Sequence, residues 1–137
     1  IEAFRQTPAS TLTIYGNLPK GYKEEDLPKN VKFAGFMTKV PYENHEGYIS
    51  CSLSECFANA AVEASSKGLV CLLSNVDLAH KYYATICDNT KTFNSFEGLV
   101  ELLREYQEEG EYASSTFSRK YTKSNVVEEY KRVLKLT

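Results

Sequence analysis

Apolar and polar positions alternate between two periods along this chain. "TLTIY" (residues 11–15) is β-branched and aromatic, with turn residues Gly16 and Asn17 behind it, and predicts a strand. "NVKFAGFM" predicts a second strand ending over residues 35–37, and "YISCS" a short half-buried one. "LVCLL" (residues 69–73) is apolar throughout, as in a strand covered on both faces. "ATICD" reads as a further strand. Between these lie helical patterns. Ile1, Ala3 and Phe4 belong to an amphipathic helix that Pro8 ends. "PYENHEG" starts with proline at the first helical position, a short helix. "SLSECFANAAVEASSKGL" carries a stripe of Phe57, Ala60, Ala61 and Ala64, and "DLAHKYY" is a short helix capped by Asp77. Asn94 and Glu97 have capping-box spacing before Phe96, Leu99, Val100, Leu103 and Tyr106. Asn125 and Glu128 repeat that spacing before a last helix striped by Val126, Val127, Tyr130, Val133 and Leu134.

Strands and helices therefore alternate with short links. That order predicts an α/β fold, a mostly parallel sheet with helices on both faces. In such sheets ligands bind at the carboxyl ends of strands, beside helix N-termini.

Composition narrows this picture. At 137 residues the chain fits one domain with its own core, here residues 1–137. The net charge of -2 is well mixed, which argues against a nucleic-acid surface. No apolar run is long enough to span a bilayer and no signal peptide is visible, so a cytoplasmic setting is expected, membrane-peripheral at most. The four cysteines form no CxxC pair, so no metal site is expected; three of the four sit in apolar or small-residue runs and read as buried thiols in a reducing compartment. His45 and His80 sit in polar stretches and are expected to be exposed and chemically idle. Tyr82 and Tyr83 read as packing residues. The chain opens with a helix already under way, as expected of a piece of a longer polypeptide.

The stretch with most chemical content is "SLSECFANAAVEASSKGL". With Ser54 or Glu55 as cap, the N–H groups of Cys56, Phe57, Ala58 and Asn59 lack intrahelical partners and form a donor patch suited to a phosphate. Glu55 and Glu63 lie eight helical steps apart, about 12 Å. Each carboxylate can grip a vicinal diol. Glu63 falls off the apolar stripe, on the flank of Cys56 and Asn59, so a ligand could lie along that flank. A solvated glutamate flank is the plain alternative.

The whole chain resembles the C-terminal, donor-binding domain of retaining glycosyltransferases of family 4, which have two Rossmann-like domains (the GT-B fold). "IEAFRQTPASTLTIYGN" is similar to the family's first helix, second strand and glycine turn, and "NVKFAGFM" to its V-x-F-x-G strand. "GYISCSLSECFANAAVEASSKGLVCLLSN" resembles its signature, a strand followed by S-x-x-E-G-F-G, E-A and G-x-P-V. The resemblance implies a Rossmann-like three-layer domain that lacks the family's first, central strand. It implies that Glu55 bonds the donor sugar and orients it for transfer, that Glu63 bonds the ribose, and that Phe57, Ala58 and Asn59 offer N–H groups to the diphosphate. Phe36 and Met37 would lie near the base. The substrate would be a nucleotide-diphosphate sugar, with no cofactor and no metal, and the acceptor a glycan, lipid or protein.

There are departures. Cys56 and Ala58 replace the two glycines, Val70 replaces a proline, and residues 78–82 lack a glycine-rich stretch. The strand with the basic loop and the acceptor domain have no counterpart in the chain. The resemblance therefore implies a fragment inactive alone, and a partner segment, strand swap or dimer that completes the sheet. The alternative function is a non-catalytic Rossmann-like binding or assembly module in which Glu55 and Glu63 are vestigial.

Overall fold

The computed structural model describes residues 1–54, 59–76, 78–87 and 89–109. In chain order the elements are α1 (Glu2–Gln6), β1 (Leu12–Tyr15), β2 (Val31–Gly35), β3 (Gly47–Ser50), α2 (Asn59–Ser66), β4 (Val70–Ser74), α3 (Leu78–Ile86), β5 (Thr90–Phe93) and α4 (Phe96–Glu109). Single 3₁₀ turns span Glu24–Asp26 and Tyr42–Asn44. The fold is α/β, and the three strand pairings among the described residues are all parallel.

The strands form two sheets rather than one: β1 beside β2, and β3-β4-β5 with β4 in the middle. The register pairs Ile14 with Phe33, Ile49 with Leu72, and Leu72 with Lys91. β4 is buried along its length, as its unbroken apolar run requires. Its alternate side chains enter different cores. Val70 and Leu72 join Ala3 and Phe4 of α1 and Leu99, Val100 and Leu103 of α4. Cys71 and Leu73 join Ala61 and Ala64 of α2 and Tyr83 of α3. Helices thus cover both faces of the three-stranded sheet.

The first core also takes Val31 of β2, with Leu12, Ile14 and Ile49 packed against it. One apolar cluster therefore holds the two sheets together although no strand pairing among the described residues joins them. Gln107 of α4 adds a hydrogen bond to Ser10, 2.6 Å, and Tyr15 Oη meets His45 Nε2 at 2.6 Å. The opposite face of β2 carries the exposed Lys32 and Ala34, so only one face of this pair is covered by the described residues.

Three expectations are corrected. "ATICD" is not a strand: residues 84–86 complete α3, and the strand is the following "TKTF". His80, Tyr83 and Cys87 are all buried, a helical i, i+3, i+7 stripe that outweighs the β-branched Thr85 and Ile86. Asn94 is not the cap of α4: Ser95 is, its Oγ accepting from the Gly98 N–H at 3.1 Å. Ala60 is exposed, and Ser65 takes its place on the buried face of α2. Phe96 keeps 41 % of its surface exposed while Leu99, Val100 and Leu103 are buried. Asp77 and the helix expected over residues 126–134 lie outside the described residues.

Candidate functional site

The carboxyl ends of β3, β4 and β5 open into a shallow pocket of about 210 Å³. Cys51, Leu53, Ser74, Val76, Phe93 and Phe96 are among its lining residues. Leu53 and Val76 are largely exposed, so the rim is apolar and solvent-facing. Ser74, last residue of β4, ties this edge together. Its hydroxyl donates to the Ser52 carbonyl at 2.6 Å. Nδ1 of His80 lies 3.0 Å from the Ser74 carbonyl and 3.2 Å from its Oγ. His80 is 1 % exposed. This overturns the expectation of an exposed histidine: α3 buries His80 against the strand end, where it helps hold the loop that leads from β3 towards α2. His45 is half-buried and follows the turn at Tyr42–Asn44 rather than sitting in a helix.

Of the predicted ligand-binding residues, Glu55, Cys56, Phe57 and Ala58 lie outside the described residues. Asn59 opens α2, and Asn59 and Glu63 are both exposed, one turn apart on one flank. The Tyr42 hydroxyl donates to Glu63 Oε2 at 3.2 Å, so a residue from the turn before β3 holds the carboxylate. Burial first, and then the Glu63 hydrogen bond and charge, push the Tyr42 phenol up to about 12. Tyr42 therefore stays protonated, and a donor, at any physiological pH. Phe36 and Met37 follow β2 in the other sheet and are exposed, Phe36 at 84 %. They stand just past the carboxyl end of β2.

Behind α2 lies a buried polar junction that the sequence did not reveal. Asn89 Nδ2 donates to the Leu69 carbonyl, while its Oδ1 accepts from Ser65 Oγ at 3.1 Å and Cys87 Sγ at 2.7 Å. Ser65 Oγ and Cys87 Sγ are also 2.9 Å apart. The junction locks the end of α2 to the start of β5, and so sets how α2 lies on the sheet.

Cys71 and Cys87 are buried as expected, and burial pushes the Cys71 thiol up to about 12. Cys51 is exposed, because the chain leaves β3 at Ser50 and the thiol sits on the pocket rim. Tyr83 is buried while Tyr82 is about half exposed. No group of three or more metal-ligating side chains occurs among the described residues, and no helix among them is long and apolar enough to cross a membrane. No protein-family profile, curated protein or solved structure matches this chain.

Proposed function

We propose that this chain is the donor-binding part of a retaining glycosyltransferase that moves a sugar from a nucleotide-diphosphate sugar to a glycan, lipid or protein acceptor. The observation that carries the reading is the exposed Glu63 on α2, the helix that follows β3 of a parallel sheet. In this reading Glu63 bonds the ribose and Glu55 the donor sugar. N–H groups of Phe57, Ala58 and Asn59, with Cys56 beside them, meet the diphosphate, and Phe36 and Met37 flank the base. Charge on the leaving diphosphate is stabilised by those N–H groups. Glu55 orients the sugar rather than moving a proton. The decisive experiment uses the full-length protein. Glu55→Ala and Glu63→Ala should each abolish most transfer while leaving circular dichroism unchanged; full activity in both variants rejects the assignment.

The reading includes a Rossmann-like sheet whose central strand comes from elsewhere, and the split between the two sheets supports it. α1 packs on the face opposite α2 and α3. Right-handed crossovers on one face all step in one direction, and those on the other face step the opposite way. A strand entering α1 would therefore lie on the side of β1 away from β2. The same rule turns the edge of β3 away from β4 towards that slot. The slot would accept one parallel strand, supplied by a preceding segment, a swapped element or a second copy. This chain alone should then be inactive.

A second reading, a non-catalytic binding or assembly module, is favoured by Cys56 and Ala58 in place of glycines. It predicts unchanged transferase activity, or none, in the same two variants.

A further inference from the structure

We propose that Tyr42 is a positioning residue for Glu63, and that the pair forms a clamp for the vicinal hydroxyls of a ribose. The inference rests on the reading of Glu63 given above and adds a residue to it. Glutamate on an exposed helix flank has three rotatable side-chain bonds and samples many directions. Here the Tyr42 hydroxyl occupies one acceptor position of Oε2. A carboxylate offers about four such positions, so enough remain for two ligand hydroxyls.

Tyr42 is itself held. It heads the 3₁₀ turn in which the His45 N–H bonds the Tyr42 carbonyl at 3.0 Å and the Asn44 N–H bonds the Pro41 carbonyl at 3.1 Å. Its ring packs with Tyr48 and Val62 against the core beneath α2. A restrained donor therefore aims a mobile carboxylate. The phenol cannot accept a proton from a ligand hydroxyl at neutral pH, so its role is orientation and not catalysis.

Part of the rotamer entropy that Glu63 would lose on binding a ligand is already lost in the free protein. Tyr42→Phe, which keeps the ring and removes the hydroxyl, should weaken binding of UDP or GDP roughly 3- to 10-fold. The 2′,3′-dideoxy forms of these nucleotides offer no diol and should bind both proteins equally. Glu63→Ala should lose at least a similar factor for the ribo forms, and adding Tyr42→Phe to it should cost nothing further. The measurement is an NMR shift titration of the full-length protein with millimolar UDP, GDP and their dideoxy forms. Equal losses for ribo and dideoxy nucleotides would make Tyr42 a structural residue and overturn the proposal. A ribo preference untouched by Tyr42→Phe overturns the positioning role alone. Absence of any ribo preference in the unmodified chain overturns the ribose reading of Glu63 and the clamp with it.

Discussion

Replacing Asn89 by leucine keeps the side chain's approximate size and removes its hydrogen bonds at the junction of α2, β4 and β5. The Leu69 carbonyl loses its side-chain amide donor and keeps a long Cys71 Sγ contact at 3.9 Å. Ser65 and Cys87 lose their common acceptor but still face each other at 2.9 Å. Asn89 is 8 % exposed, so little water replaces what is lost. A buried acceptor left without a good partner costs about 1–3 kcal/mol, and the weakened Ser65–Cys87 pair adds less than about 1. The expected loss is roughly 2–3 kcal/mol. Urea unfolding would read this as a midpoint lowered by on the order of 1–2 M at unchanged slope. Ser65→Ala, which leaves Asn89 its Cys87 and Leu69 partners, should cost about 1 kcal/mol. A midpoint shift under about 0.3 M for Asn89→Leu would refute the reasoning, because Asn89 would then be dispensable to the seating of α2.

Three further outcomes follow from particular contacts. In parallel pairing alternate residues face alternate sides, so the amides of Thr13, Tyr15 and Ile49 should exchange quickly while those of Leu12, Ile14 and Tyr48 are protected. An N-terminal extension carrying a strand-forming segment should protect the first three, whereas the same extension interrupted by proline should not; no difference between the two would sink the slot. Spectrophotometric titration should show Tyr42 ionising near pH 12, and in Glu63→Ala somewhat lower but still raised, because burial remains; since the folded value is raised, the associated stability is complete below pH 10 and lost as pH rises to about 12. Among Cys51, Cys71 and Cys87, a thiol reagent should label Cys51 quickly in the native chain and the other two only on unfolding; fast labelling of Cys71 would contradict its burial.

The sequence alone located four strands, in "TLTIY", "NVKFAGFM", "YISCS" and "LVCLL", each overlapping an observed strand with its ends off by one or two residues, and it determined the class of fold. Each of those runs is short, β-branched or apolar, and closed by turn residues, and such local signals need no partner to be read. It also placed Glu63 correctly off the buried stripe, because helical period fixes which residues share a flank. It failed at "ATICD", where local β preference pointed to a strand and the packing of His80, Tyr83 and Cys87 kept the helix going. It chose Asn94 over Ser95, since boundaries depend on which hydroxyl reaches an open N–H in space. Only tertiary structure decided that Tyr42, twenty-one residues from Glu63, holds its carboxylate, and that Asn89, Ser65 and Cys87 meet behind α2. Polar residues far apart in sequence carry no periodic signal. Their pairing is settled by where the strands bring them, because a buried or half-buried polar group must find a partner wherever the fold provides one.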